Sequence, residues 1–391
     1  MSLNRRRFLV LSGIGGVVGG LGLGALAHQV LRGSSGARTP SASSLANPAS
    51  QPVAAAKTAV APEGLFAPVK GDVRLAVISD LNSAYGSTDY DPEVDRAIAL
   101  LPGWEPDIVL AGGDMVAGQS PSLTTAQVKA MWAGFDRHVA APLRRAKLPF
   151  GFTIGNHDAS GALGIRGQFL FQNERDLASA YWNDPSHDPG LQFVDRARFP
   201  FYYTFQHKEI FYLIWDASTS RIPPEQLAWV EKTLASPTAQ AAKLRIVIGH
   251  LPLYAVSVGR DSLGEILTDA DQLRQMLERY RVHTYISGHH HAYYPAHRGR
   301  LELLHTSALG SGPRQLLNSN LAPYKTLTIV DVNLISQTTV YTTYNMGTMK
   351  VVDIKSLPRL IVGPNGRVVR RDIPESELTA EEQSLTFTPS S

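Results

Sequence analysis

The sequence predicts an α/β protein in which two sheets pack face to face with helices on their outer sides. Between residues 72 and 286, short apolar runs alternate with stretches of helical period. After residue 300 the helical pattern stops and strand-like runs follow. Five of the apolar runs empty into glycine-containing or acidic loops, the position at which open α/β sheets bind ligands.

Taken in order, residues 72–79 (Asp-Val-Arg-Leu-Ala-Val-Ile-Ser) read as the first strand. Residues 91–101 read as a helix with Asp91 as N-cap and Pro92 at its first position. Residues 107–111 are the second strand. A long helix is predicted over 124–147, started by Thr124 or Thr125, with Val128, Met131, Trp132, Phe135, Val139 and Leu143 on its apolar face. Residues 150–154 form the third strand, and 173–182 a helix over the site. Residues 201–205 and 210–215 read as a hairpin. A helix over 223–234, a strand at 245–248, a helix over 269–280 and a strand at 284–286 follow. The runs 301–304, 326–332, 338–343 and 349–354 are strands, and 360–369 is a hairpin turning at Asn365-Gly366. From about Glu375 the chain is polar and predicted to fray.

Composition bounds the chemistry. With 391 residues, 43% hydrophobic and 18% charged, the chain can bury a large core and is not disordered as a whole. Having no cysteine excludes disulfides, thiolate zinc sites and a cysteine nucleophile, so any metal must sit among Asp, Glu, Asn and His. Residues 1–27 hold Arg5-Arg6-Arg7-Phe8-Leu9, a glycine-rich apolar run and Ala25-Leu26-Ala27, the pattern of a twin-arginine export signal. An uncleaved membrane anchor is the alternative reading of that run. The expected location is periplasmic or extracellular, with the twin-arginine translocase as partner during export. Without the three arginines of this segment, 34 of the 37 basic side chains remain against 34 acidic ones. The folded part is therefore neutral, and no basic run marks a nucleic-acid-binding surface. Residues 28–64, rich in Ser, Ala, Pro and Gly, read as a linker.

The chemistry lies in the loops. They are Asp80-Leu81-Asn82, Gly112-Gly113-Asp114, Gly155-Asn156-His157-Asp158, Gly249-His250 and Gly288-His289-His290-His291. Each is ordinary alone, since an Asp after a strand is often a turn residue. Five at one topological position form a coherent oxygen and nitrogen donor set, and the glycines let the backbone turn sharply. Asp114 is the natural carboxylate to bridge two ions.

In this order and spacing the loops resemble the motifs of the calcineurin-like metallophosphoesterase superfamily, over roughly residues 72–312. The resemblance implies an αββα sandwich of two mixed β-sheets, with a phosphoesterase domain over 65–358 and a C-terminal hairpin and polar tail over 359–391. It implies two divalent metal ions (Mn, Fe, Zn, Co or Mg). Asp80, Asp114 and His291 would hold one, and Asp114, Asn156, His250 and His289 the other. His157 would protonate the leaving oxygen or hold the transition-state phosphoryl group, with Asp158 orienting its ring. The stretch 288–293 is also similar to purple acid phosphatases, but Ala117 stands where their tyrosine would be, against a ferric chromophore. The family usually has Asp-x-His at the first motif and this chain has Asn82, expected to be a weaker ligand, with Tyr85 as the alternative.

Asn156, His157, Tyr85 and His305 are the expected substrate contacts, and Arg166 and Arg260 are candidate phosphate clamps. His290 is expected to point away from the metals and His138 to be structural. Tyr293 and Tyr294 either line the pocket or pack. The implied activity is hydrolysis of a phosphate ester by attack of metal-bound hydroxide. A phosphodiesterase for nucleotides or lipids and a non-catalytic metal- or phosphate-binding protein are the alternatives.

Overall fold

The computed structural model describes residues 57–388. The expected export signal and most of the expected linker lie outside them. In chain order the first elements are β1 (Val73–Ile78), α1 (Pro92–Trp104), β2 (Ile108–Ala111), α2 (Thr125–Phe135), α3 (Ala141–Arg145), β3 (Phe150–Phe152), α4 (Asn156–Ala159) and α5 (Gln172–Asn183). Then come β4 (Gln192–Arg198), β5 (Tyr202–His207), β6 (Ile210–Ile214), α6 (Pro224–Leu234), α7 (Pro237–Ala241), β7 (Leu244–Ile248), α8 (Ala270–Arg279) and β8 (Thr284–Ser287). The rest are β9 (Tyr294–Arg298), β10 (Leu301–His305), β11 (Thr326–Asn333), β12 (Thr338–Asn345), β13 (Lys350–Val351), β14 (Leu360–Gly363), β15 (Gly366–Arg370) and α9 (Ala380–Ser384).

The strands form two mixed sheets flanked by helices, ordered β13-β12-β11-β1-β2-β3 and β14-β15-β9-β10-β8-β7-β6-β5-β4. Strands β1, β2 and β3 are parallel in the first. Strands β6, β7, β8 and β10 are parallel in the second. Central strands such as β1 and β7 are buried on both faces and apolar but for one arginine each, Arg74 and Arg245, as strands covered on two sides require. Between the sheets, Tyr203 Oη donates to the Phe152 carbonyl at 2.6 Å. Gly151 leaves the space that the Phe205 ring fills, since a Cβ there would stand 2.7 Å from it.

Four expectations need correction. The helix over 124–147 is broken by one wide turn at 136–140, because Pro142 has no N–H to continue the ladder; the Ala141 N–H reaches back to the Asp136 carbonyl instead. Strand β9 was hidden by Pro295, which pairs with Leu304 inside it. The last hairpin turns at Pro364-Asn365, one residue early, so that Gly363 pairs with Gly366, and β15 joins β9 in the second sheet. The tail does not fray from Glu375: Thr379 and Glu382 make a capping box that starts α9, and Glu382 pairs with Arg359 at 2.7 Å.

The end of the expected linker is also packed onto the fold. Ala59 bridges to Val69, and Arg74, fully buried in β1, donates to the carbonyls of Val60 (3.0 Å), Pro68 (2.9 Å) and Trp104 (3.1 Å). Its Nε and Nη2 form a two-point pair with Asp331 at 2.8 and 2.9 Å. Removing one partner of such a pair leaves a buried charge. Arg74→Ala is therefore expected to cost about 3–5 kcal/mol in urea unfolding. A loss below about 1 kcal/mol, the median for an exposed ion pair, would show the pair to be dispensable.

Candidate metal centre

All five motif loops leave the carboxyl ends of parallel strands. Asp80, Asp114 and Asn156 follow β1, β2 and β3 of the first sheet, while His250 and His289 follow β7 and β8 of the second. Backbone bonds tie the loops together: Asp80 N–H donates to the Gly113 carbonyl at 2.9 Å, and Gly288 N–H to the His250 carbonyl at 3.0 Å. The glycines serve mainly as empty space. A Cβ on Gly155 would stand 2.1 Å from Asp114 Oδ1, and one on Gly288 2.2 Å from Ser79 Oγ. The sharp turning falls on Gly113, at φ 96°, and otherwise on the polar residues themselves. Asp80, Asp114, His289 and His291 have φ of 50°, 53°, 64° and 51°, the left-handed region that side chains disfavour. Strain of this kind concentrates where a site requires it.

Two donor groups meet at Asp114. On one side, ligand atoms of Asp80, Asp114 and His291 lie within 4.8 Å of one another, with His291 Nε2 3.1 Å from Asp80 Oδ1. On the other, His250 Nε2 is 3.3 Å from Asp114 Oδ2 and 2.8 Å from Asn156 Oδ1. His289 Nδ1 is 3.0 Å from the same Asn156 oxygen and 3.2 Å from His250 Nε2.

The outward nitrogens are already engaged. His250 Nδ1 faces the Gly112 carbonyl at 2.8 Å, His289 Nε2 the Glu265 carboxylate at 2.8 Å, and His291 Nδ1 the Gly312 carbonyl at 2.9 Å. Each acceptor fixes the proton on the outward nitrogen and turns a lone pair inward, as second-layer acceptors do for metal-binding imidazoles. Gln119 does the same for the amide: its Oε1 accepts from Asn156 Nδ2 at 2.6 Å, which turns Asn156 Oδ1 inward. The residues fit a divalent cation, because oxygen and nitrogen lone pairs converge with no donor among them when the rings are neutral.

Electrostatics add a condition. Burial alone would raise the Asp114 pKa, yet the neighbouring His250 and His157 hold it well below the ordinary carboxylate range. Burial would lower the His250 pKa, but Asp114 draws it up to about 9, so this ring carries a proton on Nε2 that a bound cation must displace. Burial and then Arg260 push His289 well below its ordinary value, so that its ring is neutral.

Residues 73–293, more than half of the chain, match the family described as calcineurin-like phosphoesterase. The chain belongs to the calcineurin-like phosphoesterases. No curated protein sequence matches it. Among solved structures it is similar to the purple acid phosphatase PPD1 of yellow lupin (Lupinus luteus), at 16% identity and a TM-score of 0.50 over 72% of this chain and 52% of the lupin chain. It thus spans about half the length of that protein. It is also similar to GAP50, the anchor in the inner membrane complex of Plasmodium, at 15% identity and a TM-score of 0.46 over 73% of this chain and 88% of that one. At such identities the likeness speaks to the fold alone.

Within this phosphoesterase, several side chains stand elsewhere than expected. Asp158 does not orient His157. Its Oδ1 accepts from Met115 and Val116 N–H at 2.7 and 2.9 Å and its Oδ2 from Gly155 N–H at 2.8 Å, so it clasps two motif loops together. Burial, and then the charge of Asp114, push its pKa up. The ring of His157 is fixed instead by the Gly118 carbonyl, 3.0 Å from Nδ1, with Nε2 3.9 Å from Asp114 Oδ2. Asn156 gives one amide hydrogen to Gln119 and turns its Oδ1 toward His250 and His289, which suits a metal ligand.

His305 is also corrected: it is 1% exposed, with Nδ1 3.1 Å from the Tyr294 carbonyl, and burial lowers its pKa to about 4. It is a packed strand-end residue without a face for substrate. Tyr85 lies exposed against the His157 ring at a centroid distance of 5.1 Å, which suits a substrate contact and not a metal ligand. His290 points away, toward Val256 N–H and the Glu265 carbonyl, and His138 pairs with Asp95 in the helical layer. Tyr294 packs, donating to the Pro358 carbonyl, and Tyr293 lines a small cleft with Arg314.

Asn82 is buried beside the first donor group, its backbone N–H 3.2 Å from the Asp114 carbonyl. Asn82→His is expected to raise the bound metal per chain, or its affinity, measured by elemental analysis after dialysis. Unchanged metal content would show that position 82 contributes no ligand. Glu265 and Gln119 escaped sequence reading altogether, because each lies in an irregular loop far in sequence from the ligand it holds.

Proposed function

We propose that the chain is an exported phosphohydrolase that uses two divalent ions to cleave phosphate esters. The observation that carries this is the position of Asp114, shared between the Asp80–His291 pair and the Asn156–His250–His289 group. Divalent ions bound there would supply Lewis-acid charge and a water of lowered pKa. The chain's own residues do the rest. His157, with Nδ1 given to the Gly118 carbonyl, presents Nε2 at the rim of the cluster, where a protonated ring donates to the departing oxygen. The His157 N–H, 2.8 Å from Asp114 Oδ1, keeps that carboxylate from rotating. Tyr85 lies tilted against that ring at a centroid distance of 5.1 Å, exposed where a leaving group would contact it.

The test is hydrolysis of p-nitrophenyl phosphate and bis-p-nitrophenyl phosphate. The chelator-stripped protein is assayed alone and after separate addition of Mn, Zn, Co, Fe or Mg. Turnover that needs metal supports the reading, and the ratio of the two esters separates monoesterase from diesterase. A folded protein that binds metal and cleaves neither ester would favour the metal-binding alternative.

Export rests on Arg5-Arg6-Arg7-Phe8-Leu9 and the apolar run behind it. The expected result is a protein in the periplasmic or culture fraction that begins near residue 28 and stays in the cytoplasm when the twin-arginine translocase is deleted. Among the described residues no helix is long and apolar enough to cross a membrane.

A further inference from the structure

Behind the second donor group, two arginines from different loops are held side by side. The loop carrying Arg260 and the loop carrying Arg314 are joined by an antiparallel bridge, Ser257 to Leu316. On its two sides Val258 N–H donates to the Gln315 carbonyl and Leu317 N–H to the Val256 carbonyl, both at 2.9 Å. Arg314 N–H also donates to the carbonyl of His291 at 2.8 Å, so the arginine segment is fixed to the metal-ligand loop. The guanidinium of Arg314 reaches Gly259, next to Arg260: a Cβ on that glycine would be 3.2 Å from Nη1.

Two like charges so placed repel each other: burial, and then Arg260, lower the Arg314 pKa, with Glu265 and Asp80 acting against them. Glu265 offsets one of them, through Arg260 Nη1 at 2.5 Å, while also holding His289. The Nε atoms of both arginines are buried with no hydrogen-bond partner. Buried charged donors left unpaired are costly unless something occupies them. Arg314 also lines a small cleft with Tyr293, Leu316 and Tyr324, so one of the two arginines reaches the surface.

Resting on the phosphohydrolase reading, we infer that Arg260 and Arg314 form a subsite for a second oxyanion of the substrate, a phosphate or a carboxylate, distinct from the phosphoryl group being cleaved. The placement favours a second group because Arg260 Nη1 lies 3.3 Å from His289 Nε2, the outward nitrogen. The imidazole ring therefore stands between this notch and the point on which Nδ1 converges with His250 and Asn156. An anion in the notch is held by guanidinium forks, whose geometry suits two oxygens at once.

Two measurements test this on the full chain. Chelator-stripped protein is titrated calorimetrically with inorganic phosphate and, separately, with acetate, which distinguishes the two classes of oxyanion. Arg314→Gln and Arg260→Gln are expected to weaken binding of the preferred anion about tenfold or more, and Arg314→Lys to recover part of it. Equal affinity in wild type and both variants, or no binding of either anion, overturns the subsite.

The manganese-loaded protein is then assayed with p-nitrophenyl phosphate, propane-1,3-diol bisphosphate and 3-phosphooxypropanoate. In Arg314→Gln, KM for the ester bearing the preferred second anion should rise about tenfold relative to KM for p-nitrophenyl phosphate. An equal rise on both would place the arginines on the cleaved phosphoryl group and refute the proposal. If wild type cleaves none of the esters with any metal but its anion binding depends on both arginines, the hydrolase reading fails and the anion site stands.

Discussion

Asp114→Ala is expected to lower hydrolysis of p-nitrophenyl phosphate on the order of 10³-fold or more, and to reduce bound metal below that of wild type. A single preorganised group that stabilises developing charge is worth roughly 10²–10³ in kcat. Asp114 stands in both donor groups, and its other oxygen fixes the backbone of His157 at 2.8 Å, so its loss disturbs three functions together. Asp114→Asn separates them, because the amide oxygen can keep the bond to His157 N–H while the charge and the second ligand oxygen are lost. Elemental analysis and initial rates on the same preparation decide the matter. A variant with full metal content and more than about a tenth of wild-type activity would remove Asp114 from the centre of the mechanism.

The second large effect is expected at His157. The Gly118 carbonyl, 3.0 Å from Nδ1, fixes the ring so that Nε2 alone can exchange a proton with substrate. General acid catalysis contributes about 10²–10⁴-fold, and more where the leaving group is a poor one. His157→Ala should therefore reduce kcat far more for an alkyl phosphate than for p-nitrophenyl phosphate, whose phenolate leaves unaided. Metal content should stay near wild type, since His157 is not among the converging donors. Equal losses on the two esters would mean that the ring stabilises charge on the phosphoryl group and does not supply a proton.

The loops that bring the candidate donors together were legible because the donors are strand-end residues, and a strand end is visible as an apolar run stopping at a polar one. Their proposed partition into two groups around Asp114 follows the geometry: Asp80 and His291 on one side, Asn156, His250 and His289 on the other. What surrounds the donors was not legible. Glu265, Gln119 and the Gly112, Gly118 and Gly312 carbonyls act through positions that no local pattern marks. Asp158 misled for the opposite reason: adjacency to His157 suggested a pair, whereas side chains one residue apart at the start of a helix point different ways.

The role of the glycines was half right. Gly113 does take a left-handed turn, but the other motif glycines serve as room for a neighbour's atoms, while the aspartates and histidines take the remaining left-handed turns. One overlooked signal was readable in full: Thr379-x-x-Glu382 is a helix-start pattern, and it orders a tail whose composition alone looks loose.

Because Asp80, Asp114 and Asn156 belong to one sheet and His250, His289 and His291 to the other, any ion they share acts as a rivet through the sandwich. Its affinity then reports on how the two layers are seated against each other, and not only on the ligands. A bulkier residue at Gly151, which would press the Phe205 ring away from the first sheet, ought to loosen metal binding from within the core while every ligand stays intact. Conversely, loading the site should raise the melting temperature in proportion to the logarithm of free metal, so that the cation itself becomes part of what holds the layers together.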